Sequence, residues 1–173
     1  MTELEKRTYA RQTVFEFTLQ FWQDISYRVG QVVPGAQIPH LSYDINELFQ
    51  TTMEPQEWLT MALYGLGLAP NEDPGEMYEI CQSMAEWLFS IPGMSAYEIP
   101  DVWYGSPMGA LWAAAFIRVQ GDELITIAEA AQLAGVSVQA ISQRIDRGSL
   151  KAFVDPVADS RQGRRLVKKS DVS

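Results

Sequence analysis

The sequence is poor in the side chains that most chemistry needs: 173 residues hold one cysteine, Cys81, and one histidine, His40. A single cysteine excludes an intramolecular disulfide framework. Its neighbours Ile80 and Met84 assign it to an apolar helix face, as a buried structural thiol rather than a reactive one. His40 sits in the loop-like QIPHLS with no partner, so a zinc site of the usual ligand types is not expected. Long apolar runs are missing too. The longest, MGALWAAAFI at 108–117, is ten residues, against the ~20 that a bilayer span requires. The N-terminal MTELEKRTYARQ is charged from its third residue and has no apolar core for a signal peptide. The expectation is a soluble cytoplasmic protein, nucleoid-associated if bacterial, with no membrane partner.

Nucleotide-binding signatures are also lacking. GLGLAP at 65–70 has neither a following Lys-Ser/Thr pair nor a preceding strand. The carboxylates Glu54, Glu57, Asp73, Glu76, Glu79 and Glu86 are spread over helix faces and loops, and no His or Cys completes a constellation with them. The expectation is therefore no catalytic residue, no metal, no cofactor and no enzyme activity.

What the chain does have is core material: 47% hydrophobic residues, 11% aromatic, five Trp. This is enough for a globular chain and no signature of disorder. Charge divides it. Residues 1–119 carry five basic and fifteen acidic residues, a net of −10, whereas from Val138 onward eight basic residues face four acidic ones, a net of +4. The sequence pI of about 4.5 averages two unlike parts. Such asymmetry points to a nucleic-acid-binding or partner-binding end.

In the first part, helical spacing dominates. Phe15, Leu19, Trp22, Ile25 and Val29 share a face of a helix over 3–29, with Gly30 and Pro34 as its stop. Phe17, Phe21 and Tyr27 widen its apolar stripe, marking a helix central to its domain or shared with a second subunit. SYDINELFQ at 42–50, EPQEWLTMALYG at 54–65 and DPGEMYEICQSMAEWLFS at 73–90 predict three more, the last with Met77, Ile80, Met84, Trp87 and Leu88 on one face. IPGMSAYEIPD at 91–101 reads as loop. Ser106 and Pro107 open a fifth helix. The expected fold is mainly α: an acidic all-α domain over 1–120 serving dimerisation, partner or ligand binding. The aromatic and Met side chains at 58, 61, 64, 77, 87, 103, 104, 108 and 112 could line a pocket or groove, but core filling is the preferred assignment.

The second unit, 121–173, predicts a helix-turn-helix. Thr126 and Glu129 have capping-box spacing for a helix through Leu133. Ala134, Gly135 and Val136 form a turn, Ser137 caps a helix to Arg147, and Gly148 closes it. Ile141 and Ile145 face a small core with Ile127 and Leu133, and Ala131 is small where the helices cross. Val138, Gln139, Ser142, Gln143 and Arg144 share the outer arc, where amides and a guanidinium suit base edges or phosphates. Asp146 is expected to face away from a duplex.

The run ITIAEAAQLAGVSVQAISQRIDRGSLKAF resembles the winged helix-turn-helix module of excisionase-type proteins and the MerR family of regulators, over residues ~125–172. LKAFV at 150–154 and RRLVKK at 164–169 would be the strands of a two-stranded β-hairpin wing around DPVADSRQG. The resemblance implies wing contacts to phosphates or the minor groove from Arg161, Arg164, Arg165, Lys168 and Lys169, five cations in nine residues that make a footprint for polyanions in their own right. Gln139, Gln143 and Arg144, with Val138 on the same arc, would meet bases, and Ser137 and Arg147 phosphates.

Two departures limit the resemblance. MerR-type regulators carry the DNA-binding module first, so their dimerisation coil and effector sites do not transfer to the α domain here. The final Lys-Ser-Asp-Val-Ser falls where the cap of another helix would be, so the module is expected either to be truncated or to end at its wing. The functional expectation is a homodimeric, sequence-specific protein that binds double-stranded DNA and regulates transcription. The alternatives are an excisionase-like architectural factor of a mobile element, and an antitoxin or inhibitor whose acidic domain binds a protein partner.

Overall fold

The structure is a computed structural model that describes residues 1–32, 44, 53–90, 97–158 and 165–172. Among these, seven helices and a three-stranded antiparallel sheet make a mainly α fold. The helix expected over 42–50 lies outside the described residues apart from Asp44, as do Arg161 and Arg164.

Helix α1 spans Glu3–Val32. Its start is fixed reciprocally: the Glu5 amide donates to Thr2 Oγ1 at 3.3 Å and the Thr2 nitrogen donates to Glu5 Oε2 at 2.6 Å. Gly30 does not end it. A glycine inside a helix costs only ~1 kcal/mol relative to alanine, and the helix continues to Val32. The buried face also differs from expectation. Ala10, Val14 and Thr18, at helical spacing, are fully buried with Thr13 beside them, and Phe17 and Phe21 pack against the same core. Phe15, Leu19, Trp22 and Ile25 are only half-buried. Small side chains let neighbouring helices approach, so the stripe of small residues, not that of large ones, turns inward. Thr18 satisfies its buried hydroxyl by donating to the Val14 carbonyl at 2.7 Å.

Helix α2 spans Met53–Gly65, α3 Pro74–Phe89, α4 Asp101–Tyr104 and α5 Pro107–Val119. Asp73 caps α3 by accepting from the Glu76 amide at 3.1 Å, and Ser106 caps α5 by accepting from the Gly109 amide at 3.0 Å. Each cap is followed by a proline in the first turn, where a missing N–H costs nothing. Helix α4, one turn long, starts at the last residue of the predicted loop. On α3 the expected face holds for Met77, Ile80 and Met84, and Cys81 is buried as expected, while Trp87 is 56% exposed and Ala85 is buried instead.

The central helix is α5 rather than α1. Eight of its residues, from Met108 to Ile117, are buried, on more than one side of the helix. Helices α1, α2, α3 and α4 all pack on it. The α2 contact depends on Gly65: a Cβ there would lie 2.7 Å from the Ala115 nitrogen. Trp112 anchors α3 by donating its indole N–H to the Cys81 carbonyl at 2.9 Å. Trp58, Met61, Tyr64, Met77, Met108 and Trp112 are buried in this core, as the core-filling assignment requires.

Three strands and two helices follow: β1 Leu124–Thr126, α6 Ile127–Ala134, α7 Val138–Asp146, β2 Ala152–Val154 and β3 Arg165–Lys168. The sheet order is β1-β3-β2, with Ile125 opposite Val167 and Phe153 opposite Leu166. Strand β1 was not expected; three residues are too few to display alternation. Successive strand residues face opposite sides, and the sheet uses both. Ile125 and Val167 face a small core with Ala130, Ala131, Ile141, Leu150 and Val172. Phe153 and Leu124 join the larger core of α1–α5. The expected small-core residues Ile127, Ile141 and Ile145 belong there, but Leu133 is 49% exposed and does not. Residues 169–172 form a turn that carries Val172 into the small core.

Candidate functional site

The ends of helices α6 and α7 are fixed by side-chain caps and by the turn between them. Thr126 and Glu129 complete a capping box: the Glu129 amide donates to Thr126 Oγ1 at 3.2 Å, and the Thr126 nitrogen and hydroxyl donate to Glu129 Oε2 at 2.7 and 2.8 Å. These bonds, backbone first and hydroxyl second, hold the Glu129 carboxyl below its usual value. Gly135 ends α6 at φ 65°, a left-handed conformation that L side chains adopt at a cost. The Val136 amide donates back to the Ala131 carbonyl at 3.0 Å and the Gly135 amide to Gln132 at 3.3 Å, which is a Schellman closure. Ser137 then caps α7, its Oγ accepting from the Ala140 amide at 3.2 Å. At the far end the Arg144 carbonyl accepts from the Ser149 amide and hydroxyl and from the Leu150 amide, which turns the chain toward β2.

With Ile141 buried and Ile145 half-buried, α7 turns Val138, Gln139, Gln143, Asp146 and Arg147 to solvent. Arg144 and Ser142 are half-buried at the flanks. Thus the expected base-reading residues Val138, Gln139, Gln143 and Arg144 lie on one element. Ser137 sits at its N-terminal end with its hydroxyl engaged in the cap, and Arg147 sits at its C-terminal end.

Of the five cations expected in the wing, Arg165, Lys168 and Lys169 fall among the described residues. Arg165, at the start of β3, donates to Asp146 Oδ1 at 2.8 Å, which ties β3 to the last turn of α7. Asp146 therefore has a structural partner, one that 19 residues of separation hid from sequence reasoning. Lys169 pairs with Glu123 at 3.1 Å. Lys168 is half-buried beside Asp122. Partial burial of Asp122 opposes its ionisation, but hydrogen bonds from the Ser170 hydroxyl and the Glu123 and Ser170 amides, with the Lys168 charge, prevail and lower its pKa. Asp122 thereby fastens the entry to β1 to the exit from β3, with Ser170 Oγ at 2.6 Å.

Along the other face of the sheet, rings from both parts of the chain meet. Tyr104 and Phe153 are 5.9 Å apart edge-on, Trp112 stacks on Phe116 at 4.8 Å, and Lys151 Nζ lies 4.2 Å above the Tyr104 ring while pairing with Asp101 at 3.3 Å. They border a recess of about 170 Å³. Among the described residues no group of His, Cys, Asp and Glu could hold a metal ion, and no helix is long and apolar enough to cross a membrane. Cys81 is buried, which pushes its thiol up to about 12 and leaves it protonated and unreactive.

Compared with known protein families, curated proteins and solved structures, the chain matches none.

Proposed function

We propose that this chain is a sequence-specific double-stranded DNA-binding protein, a transcriptional regulator in which α7 enters the major groove as the second helix of a winged helix-turn-helix and β2, β3 and the segment between them act as the wing. The observation that carries the reading is the pair α6–α7: two short helices, each capped by a side chain, joined by a Schellman turn, with Gln139 and Gln143 exposed on one arc of the second. Gln139, Gln143 and Arg144 contact bases, and Ser137, Arg147 and the wing cations position the backbone. One module buries little DNA surface, so two chains on a two-fold site are required for tight binding, joined through the acidic helical unit over 1–120.

The test is a salt titration on duplexes enriched from a random library. Binding should weaken steeply as salt rises, and Gln139→Ala with Gln143→Ala should sharply reduce the preference among sequences while leaving general affinity. Affinity that is flat with salt refutes the reading. One observation favours a second reading, in which the module is a protein-interaction surface and the acidic unit binds a basic partner: Arg165 and Lys169 are both engaged by carboxylates. Arg164→Glu with Arg165→Glu separates the two, abolishing the activity in the first case and sparing it in the second.

A further inference from the structure

Large exposed aliphatic side chains are few in the C-terminal part, and they cluster. Of the four among described residues 121–172, three fall within six positions across the α6–α7 turn: Leu133 at 49%, Val136 at 45% and Val138 at 51% exposed. Val136 has a local reason to be apolar, because the residue after a Schellman glycine commonly packs on the helix it closes, here near Ala131. Val138 has none. It is the first residue of α7, outside the small core, and a β-branched residue there contributes nothing to capping. Beside it stands Gln139, exposed, with Gln143 one turn further along.

An exposed isopropyl group next to a carboxamide is the pair of chemistries that an A·T pair presents in the major groove. Thymine offers a 5-methyl group, and adenine offers an N7 acceptor beside an N6 donor, which a glutamine amide matches with two hydrogen bonds. Resting on the DNA-binding reading above, we infer that Val138 is a specificity-determining residue that packs on a thymine 5-methyl group, with Gln139 or Gln143 on the adenine of the same or the adjacent pair. Beside the backbone contact of Ser137, the first turn of α7 then reads an A·T pair through the thymine methyl group as well as through the adenine edge.

The experiment begins with selection of duplexes from a random library by the full chain, followed by resynthesis of the enriched site with deoxyuridine replacing each thymine in turn, which removes one methyl group and no hydrogen-bonding atom. One position should weaken by about fourfold, the worth of one buried methyl group. Val138→Ala should weaken the thymine site and lose that discrimination, binding the thymine and uracil duplexes alike. Val138→Thr, which keeps the branch and one methyl, should retain part of it. Enrichment with no uracil-sensitive position, or sensitivity that persists unchanged in Val138→Ala, overturns this inference and leaves the DNA-binding reading standing. Failure to enrich any duplex overturns both.

Discussion

Replacing Asp146 by alanine should make the protein less stable and yet a tighter DNA binder. In the free protein Asp146 holds Arg165 at 2.8 Å, in a pair whose side chains are 62% and 51% exposed respectively. Exposed pairs of this kind contribute roughly 0.2–1 kcal/mol. If Arg165 is to meet a phosphate, that contribution is surrendered at each binding event. Asp146→Ala removes it in advance, so affinity should rise about 1.5- to 5-fold, the same energy expressed as a ratio. Stability should fall by a comparable ~0.2–1 kcal/mol. The assay is fluorescence anisotropy on a selected duplex over a range of salt, alongside urea denaturation. Arg165→Ala placed on the Asp146→Ala background should remove the gain. Unchanged or weaker binding by a folded Asp146→Ala protein would refute the argument, because it would mean Arg165 does not turn to DNA.

Other consequences follow from the same geometry. Ser137→Ala removes the α7 cap and should cost about 1 kcal/mol in denaturation; a negligible loss would show that the cap is replaced by solvent. Glu129 titrates below its usual 4.5 because Thr126 donates to it, so its contribution is present above the unfolded-state value and is lost as pH falls through the folded one. Glu129→Gln should flatten the stability profile below about pH 4.5, lowering stability near neutrality and changing little in acid, where the carboxylate has already lost its contribution. Cys81, buried with its thiol pushed up to about 12, should resist thiol reagents at neutral pH until the protein unfolds; rapid labelling of folded protein would contradict its placement. Phe153→Ala, which empties a ring site 5% exposed, should cost about 3–5 kcal/mol by denaturation, and a loss under 1 kcal/mol would mean that the sheet is not seated on α5.

Features set by neighbouring residues were legible in the sequence. Asp73-Pro74, Ser106-Pro107, Thr126 with Glu129, and Ser137 each announce a helix start, and the structure has a helix at each. Gly135 announces the turn between α6 and α7 because only its left-handed conformation closes the first helix before the second begins. What misled was competition between equally periodic alternatives. Helix α1 has a stripe of large apolar residues and a stripe of small ones, and periodicity cannot say which side a neighbour will approach. Long-range pairings left no trace at all. Arg165 with Asp146, Lys169 with Glu123 and Asp122 with Ser170 join residues 19 to 48 positions apart. Two of them, Arg165 with Asp146 and Lys169 with Glu123, engage cations that a count along the sequence treats as free.

The double-sided sheet has a consequence for how a target site would be measured out. Ile125 and Val167 look toward α6 and α7, while Phe153 and Leu124, on the same three strands, are embedded among the helices of the acidic unit. A module hung on a tether would let its reading helix swing and accept many distances between the halves of a two-fold site. Here the sheet works as a common wall, and the bearing of α7 is dictated by the packing of α5 behind it. If the proposed reading holds and two chains join, the number of base pairs separating the half-sites would be set by residues that never touch DNA. Substitutions along Tyr104, Trp112 and Phe153 would reset the ruler while leaving the letters it reads unchanged.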